Sequence, residues 1–228
     1  MPRSLPDLNR ANAMRTRMIS REPSVYLTLE AKVARENRGI FVSMLVGAIF
    51  SLIAAFVLAV EAVELAGNPF ARLSCSINTV INCATVASHP SASIFGFPNS
   101  FLGLLAEPVV ITVAIAGIGG VKFPRKFMFA AQICYTLGFL FAYSLLYTST
   151  FEIGALCPWC LLVTLSTTLV FFSMTRYNIG ENNLYLSDKL ARRANELIKK
   201  DYDTLSMGLL LVTVTTVIVV KYGSALFA

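Results

Sequence analysis

The amino-acid sequence predicts an all-α integral membrane protein, in which a four-helix bundle is followed by a fifth transmembrane helix. Of the 228 residues, 56% are hydrophobic and only 14% are charged. Soluble domains carry about 25% charged residues, so this composition indicates that lipid surrounds much of the chain. The sequence also contains five apolar runs, each long enough, at about 20 residues or more, to cross the hydrocarbon core of a bilayer. They cover residues 39–60, 98–120, 125–148, 156–175 and 205–226.

The distribution of basic residues predicts the orientation of these helices. If the N-terminus is cytoplasmic, 17 of the 19 Lys and Arg residues fall on the cytoplasmic side, and only Arg72 and Lys221 lie outside. Such an excess of positive charge on one side sets the topology of membrane proteins. The net charge of +6 is therefore explained by membrane orientation, and we expect no nucleic-acid partner.

This topology divides the chain into four expected parts. A basic cytoplasmic leader is expected over 1–38, and a four-helix membrane domain over 39–175 with an outer loop over 61–97. A basic cytoplasmic connector is expected over 176–204, and the fifth helix over 205–228. Within the connector, residues 186–197 are typical of a basic amphipathic helix, which either rests on the membrane surface or is solvated.

Four of the five cysteines are expected at the outer end of the bundle. Cys75 and Cys83 belong to the outer loop, and Cys157 and Cys160 open the fourth helix in a Cys-Pro-Trp-Cys motif. Cys134 lies instead within the third apolar run, where we expect it to be a small core side chain.

A Cys-x-x-Cys motif at the start of a helix suits redox chemistry. Residues i and i+3 share one helical face, with Cβ atoms about 5–6 Å apart, so Cys157 and Cys160 can form a disulfide after slight adjustment. The free N–H groups and the positive end of the helix dipole stabilise a thiolate at the first cysteine.

The loop cysteines provide a second pair. Asn78 and Asn82 predict a bend or a broken helix between Cys75 and Cys83. Two pairs within reach of each other can pass a disulfide along by thiolate attack, so the four cysteines could form a relay. The alternatives are two structural disulfides or a four-thiolate zinc site.

The order of these residues resembles the vitamin K epoxide reductase family. The resemblance rests on two loop cysteines separated by seven residues, the stretch Phe95-Gly96-Phe97-Pro98-Asn99-Ser100, and the Cys-x-x-Cys motif at the head of a helix. It covers about residues 40–175 and looks closest to the bacterial branch that oxidises secreted thiols.

The resemblance implies a four-helix bundle around a quinone site near the outer end, with Cys160 facing the quinone. It also implies that Cys75 meets a partner protein and that Cys83 attacks Cys157. Asn99 matches a family asparagine that hydrogen-bonds a quinone carbonyl. Human-type relatives carry a tyrosine where this chain has Thr164, another candidate cofactor-binding residue.

The spacing of residues in the second apolar run agrees with a site for a flat ring. Asn99, Gly103 and Glu107 recur every four residues and therefore share one helical face. An ionisable group at the depth of Glu107 is costly and is a functional hypothesis by default. It could relay protons to a quinone, or it could be a neutral carboxyl bonded to a neighbour such as Gln132 or a tyrosine.

Together these observations predict a membrane thiol oxidase of a bacterial cytoplasmic (inner) membrane, with its active site on the outer side. Its substrate is expected to be a separate, extracytoplasmic thioredoxin-fold protein, because the chain ends at Ala228. Its electron acceptor is expected to be a quinone of the membrane pool: menaquinone, ubiquinone or a vitamin K type. The alternatives are a vitamin K epoxide or quinone reductase that uses thiols as donor, and a non-catalytic membrane scaffold with structural disulfides.

Overall fold

The structure is a computed structural model that describes residues 5–71 and 73–226, with side chains from 34 to 71 and from 73 to 223. The described backbone is helical apart from its connections, which hold one isolated bridge between Ile81 and Leu156. Five helical stretches are long and apolar enough to cross a membrane. The predicted fold class is therefore confirmed.

The first helix, α1 (Leu5–Gly67), is longer than the apolar run that predicted it. Its membrane-spanning part is Ala34–Gly67. We expected the outer loop to begin at Glu61, but the helix continues for six residues beyond it. Glu61 is therefore a helical residue, and it lies at the end of the bundle that holds the cysteines.

Two short helices order the loop that follows. Helix α2 (Cys83–Ala87) begins after Asn82, whose side chain accepts a hydrogen bond from the Thr85 N–H, and a 3-10 helix (Pro90–Ser93) follows. The Asn78 side chain accepts hydrogen bonds from the backbone N–H groups of the two residues that precede Asn82. The predicted bend between the loop cysteines is confirmed.

Three helices complete the bundle around α1. They are α3 (Ser100–Ile118), α4 (Arg125–Thr148), which continues as a π-helix (Ser149–Ile153), and α5 (Pro158–Gly180). Helix α1 packs against α3 and α5, and α4 packs against α5, whereas α3 and α4 barely contact each other. The bundle is therefore closed at three of its helix–helix interfaces and is open between α3 and α4.

The last two helices lie outside this bundle. Helix α6 (Asp188–Lys199) is the amphipathic helix predicted in the connector, and α7 (Tyr202–Leu226) is the fifth candidate span. Whether α6 rests on a membrane surface stays a prediction. At the cysteine-bearing end, Lys221 Nζ and the Tyr222 hydroxyl both donate to the Thr150 carbonyl, each at 2.6 Å. The fifth helix thus holds the π-helix that leads into the Cys-x-x-Cys motif.

Candidate redox site

Three sulfur atoms meet at one end of the bundle. Cys75 and Cys83 form a disulfide, and the Cys83 Sγ lies 3.1 Å from the Cys157 Sγ. All three side chains are buried. The sulfurs of the loop pair and of the helix pair are therefore in contact, as a relay requires.

Backbone pairing between the loop and the start of α5 produces this contact. The Leu156 N–H donates to the Val80 carbonyl at 2.7 Å, and the Asn82 N–H donates to the Leu156 carbonyl at 3.0 Å. Asn82 and Leu156, which these bonds pair, immediately precede Cys83 and Cys157 in the chain. The two cysteines are thus held opposite each other by their immediate chain neighbours.

Cys157 is placed to ionise. It is the N-cap residue of α5, and its Sγ accepts a hydrogen bond from the Cys160 backbone N–H at 3.3 Å. The pKa of Cys157 is lowered mainly by a hydrogen bond from the Cys160 thiol, with a further contribution from the backbone N–H groups of Cys160 and Trp159; burial opposes this. The first cysteine of the motif therefore has the character of a nucleophile or a good leaving group.

The arrangement of the sulfurs can be compared with the two structural alternatives, a four-thiolate zinc site and two structural disulfides. The sulfurs of Cys75, Cys83 and Cys157 lie within 4.8 Å of one another, a group to which Cys160 does not belong. In this state Cys75 and Cys83 are bonded to each other and offer no thiolate to a metal. Cys157 and Cys160 are free thiols rather than a second structural disulfide.

A large apolar cavity opens beside the cysteines. Its volume is about 680 Å³, and residues of α1, α3, α4 and α5 line it, together with the loop that carries α2. This volume is within the range of small-molecule sites. Because α3 and α4 barely contact each other, the cavity reaches the side of the bundle between them. All the predicted site residues except Cys75 line it: Cys83, Asn99, Glu107, Cys157, Cys160 and Thr164.

Three buried polar atoms on α3 and its N-cap provide a test of whether a quinone fits this cavity. The Asn99 Oδ1, the Ser100 Oγ and the Glu107 Oε2 find no hydrogen-bond partner among the described residues. All three residues line the cavity. Buried polar atoms are normally hydrogen-bonded, so an unpaired set calls for a ligand or water. An apolar slot with polar groups at one wall suits a quinone ring and its hydrocarbon tail.

Glu107 has two partners from neighbouring helices. Its Oε1 accepts hydrogen bonds from the Ser51 hydroxyl at 2.8 Å and from the Tyr135 hydroxyl at 3.3 Å. The second interpretation of Glu107 named Gln132 or a tyrosine as its partner. Tyr135 is a partner, whereas the Gln132 side chain bonds Asn178 and Thr175. A proton relay through Glu107 stays a prediction.

Thr164 on α5 and Gly103 on α3, which the sequence also singled out, have local structural contacts. The Thr164 hydroxyl donates to the Cys160 carbonyl at 3.0 Å, which leaves its oxygen free to accept a further bond. A Cβ at Gly103 would lie 2.7 Å from the Cβ of Ala55. Gly103 therefore allows α1 and α3 to approach closely.

Cys134 is not the core residue that we predicted. Its side chain is exposed on the surface of the isolated chain and also lines the cavity. In a membrane protein the outer face of a helix is as apolar as the core, so the hydropathy of this run could not distinguish the two positions.

Sequence reasoning missed Ser51, Tyr135 and Glu61. The first two could be found only from the rotation of their helices toward Glu107. Glu61 is buried, and its two carboxylate oxygens each lie 3.5 Å from the Cys75 Sγ. The available signal was an acidic residue near the end of an apolar run, which we interpreted as the beginning of the loop.

Comparison with known proteins agrees with this geometry. No curated protein is significantly similar to the chain. The sequence model of the vitamin K epoxide reductase family matches residues 42–175, which is more than half of the chain and includes the loop pair and the Cys-x-x-Cys pair. This match, the membrane-spanning helices and the paired cysteines make the protein a multi-pass membrane thiol–disulfide oxidoreductase that belongs to the vitamin K epoxide reductase family.

Proposed function

We propose that this protein oxidises a thioredoxin-fold dithiol protein outside the cytoplasm and passes the electrons to a membrane quinone. The observation that carries the proposal is the contact between Cys83 and Cys157, which joins the loop pair to a motif whose second cysteine lines the cavity. The charge distribution supports a cytoplasmic N-terminus with the cysteines on the outer side. The resemblance to the bacterial, thiol-oxidising branch of the family supports a bacterial inner membrane.

Electrons would travel inward through two exchanges of disulfide bonds. A thiol of the partner loses its proton, attacks Cys75, forms a mixed disulfide and releases the Cys83 thiolate. Cys83 then attacks Cys157 of an oxidised Cys157–Cys160 pair and releases the Cys160 thiolate beside the cavity. The second thiol of the partner resolves the mixed disulfide and leaves as part of an oxidised partner. Two electrons now reside on the thiols of the protein.

A quinone bound in the cavity would supply the chemistry of a two-electron, two-proton acceptor. Asn99 would donate to one of its oxygens, because its amide nitrogen donates one hydrogen to the Ser91 carbonyl at 2.7 Å and has a second hydrogen. The unpaired Asn99 Oδ1 would accept from an O–H of the reduced ring. Glu107 would deliver a proton from its unpaired side. Thr164 would accept a hydrogen bond at the wall next to Cys160, because its own hydroxyl hydrogen is donated to the Cys160 carbonyl.

The energetics favour this direction of electron flow. For a two-electron couple, about 30 mV corresponds to about 1.4 kcal/mol, and quinones lie well above typical protein dithiols in potential. Oxidation of a partner dithiol is therefore downhill.

The test combines the purified protein, a reduced thioredoxin-fold dithiol and a quinone, and follows the quinone absorbance. Alanine at any one of the four cysteines Cys75, Cys83, Cys157 and Cys160 should abolish turnover. Cys134→Ala is the matched control and should retain it. Full turnover in Cys157→Ala would exclude the proposed route.

The name of the family favours a second candidate, in which thiols serve as donor for the reduction of vitamin K epoxide. The same assay separates the two when the epoxide replaces the quinone. Formation of vitamin K hydroquinone at a rate equal to quinone turnover would support the reductase, whereas turnover of quinone alone supports the oxidase. A non-catalytic scaffold would consume neither substrate.

A further inference from the structure

A buried acidic side chain lies against the cysteine that faces the partner in the proposed function. Glu61 is only 5% exposed, and both of its carboxylate oxygens lie 3.5 Å from the Cys75 Sγ. The Ser74 hydroxyl donates to Oε1 at 2.8 Å and so fixes the carboxylate beside the sulfur. Cys75 has no S–H while it is bonded to Cys83. Once that disulfide opens, the Cys75 thiol lies within hydrogen-bond reach of the carboxylate.

A buried position is energetically costly for a carboxylate, and such a cost indicates a functional group. A charged group taken out of water loses several kcal/mol of hydration, and its hydroxyl partner restores only part of that loss. Glu64, one turn farther along the same helix, is exposed and shows that α1 can direct an acidic residue to solvent at this level.

We propose that Glu61 is the general base of thiol exchange at Cys75, a role that rests on the proposed function. As a partner thiol attacks the Cys75 sulfur, Glu61 accepts the thiol proton. The new bond joins the partner sulfur to Cys75, the Cys75–Cys83 bond breaks, and Cys83 leaves as a thiolate. The partner sulfur is oxidised and Cys83 is reduced. The second partner thiol then loses its proton to water and displaces Cys75. Glu61 returns the first proton to the Cys75 thiolate, and the carboxylate is restored.

A purely electrostatic role predicts the opposite effect. Among the described residues, the titratable groups that face Glu61 are the thiols of Cys157 and Cys160, and Glu64 is exposed. Cys75 becomes titratable only when its disulfide opens. The side chain of Arg72 lies outside the described residues. A negative charge beside thiols repels an incoming thiolate and disfavours thiolates in the site. If Glu61 acted by its charge alone, its removal would accelerate exchange.

The experiment compares the full-length protein with Glu61→Gln, which keeps an acceptor for Ser74, and with Glu64→Gln as a matched control. The probe is dithiothreitol, and the readout is the rate at which the Cys75–Cys83 disulfide opens between pH 6 and 9. Acid quenching and a maleimide mass tag measure that rate without a quinone or a partner protein. We expect Glu61→Gln to be at least about tenfold slower near pH 6.5, the order expected of a general base. The two proteins should converge toward pH 9, where dithiothreitol ionises without help.

Each other result overturns the assignment. A faster rate in Glu61→Gln means that the charge alone acts, and an equal fractional loss at every pH means a structural role. A loss of the same size in Glu64→Gln means a general effect of charge at this end of the bundle. Because no quinone is present, this result is independent of the turnover assay: failure of quinone reduction would refute the proposed function and leave the role of Glu61 in thiol exchange measurable.

Discussion

The Cys83 Sγ lies 3.1 Å from the Cys157 Sγ while Cys83 remains bonded to Cys75. Cys83 thus contacts both possible disulfide partners at once. An exchange between the two needs only a small displacement of one sulfur, because the Val80–Leu156 and Asn82–Leu156 hydrogen bonds already fix the two backbones. The loop pair and the helix pair can therefore carry the same two electrons one after the other.

Removal of Cys160 should trap the intermediate of this exchange. In Cys160→Ala, the Cys157 thiolate can attack Cys83 of the Cys75–Cys83 disulfide and release Cys75. No Cys160 thiol is then present to displace Cys83 from Cys157, so the Cys83–Cys157 disulfide should accumulate. An engineered protease site in the turn at 121–124 would separate the two cysteines, and the bridged fragments would then migrate together without reductant. The double variant Cys83→Ala/Cys160→Ala should show no such species. Its absence from Cys160→Ala itself would contradict the order of the relay.

Glu107→Gln should slow quinone turnover about 100-fold or more while internal thiol exchange stays intact, because general acid catalysis contributes about this much. Gln keeps an acceptor for Ser51 and Tyr135, so packing of the three helices is preserved. The measurements are the quinone absorbance and the rate of disulfide opening by dithiothreitol in the same preparation. Equal quinone turnover in both proteins would remove Glu107 from the mechanism.

A bulky residue in the gap between α3 and α4 should exclude the acceptor. Gly138 lines the cavity, and a Cβ there meets nothing within 4 Å, so Gly138→Trp fills open space. We expect the KM for a long-chain quinone to rise at least about tenfold, since a misfit in a binding slot costs 1–3 kcal/mol. Gly208→Trp on α7, where a Cβ also meets nothing within 4 Å, is the control and should leave KM unchanged. An unchanged KM in Gly138→Trp would mean that the acceptor uses another route.

The reactivity of Cys157 should extend to lower pH than that of an ordinary thiol. Its pKa is lowered chiefly by the Cys160 thiol, so the thiolate persists as the pH falls below the usual range. In a Cys75→Ala/Cys83→Ala background, iodoacetamide labelling of Cys157 followed by mass spectrometry gives the titration curve. Adding Cys160→Ala should move the midpoint of the curve to higher pH. A midpoint that does not move would assign the effect to the backbone N–H groups instead.

Much of this fold was predictable because a bilayer constrains the length and composition of a span. The run at 125–148 coincides with α4, and the other four spans are recognisable with shifted ends. The start of the outer loop was misplaced because Glu61 lowers the local hydropathy although the backbone remains helical. Hydropathy indicates whether a side chain prefers lipid or water. It does not indicate whether the backbone of that residue is hydrogen-bonded within a helix.

The candidate site was predictable in its residue types and in the arrangement of residues along each single helix. The positions of Asn99, Glu107, Cys157 and Cys160 around one cavity agree with the helical spacing that suggested them. The contact between Cys83 and Cys157 depends on pairing between two loops that are far apart in sequence, which no local pattern encodes. The Ser51 and Tyr135 bonds to Glu107 depend on the rotation of three helices, and serine and tyrosine are common in such helices without any role.

The double hydrogen bond that Lys221 and Tyr222 make to Thr150 has a consequence for the shortest fragment that can work. The family match ends at residue 175, yet the turn that presents the Cys-x-x-Cys motif is tied to the far end of α7. A chain truncated after the fourth span would retain every cysteine and lose both donors to that turn. Efforts to transplant this redox unit into another scaffold must therefore carry the terminal helix with it.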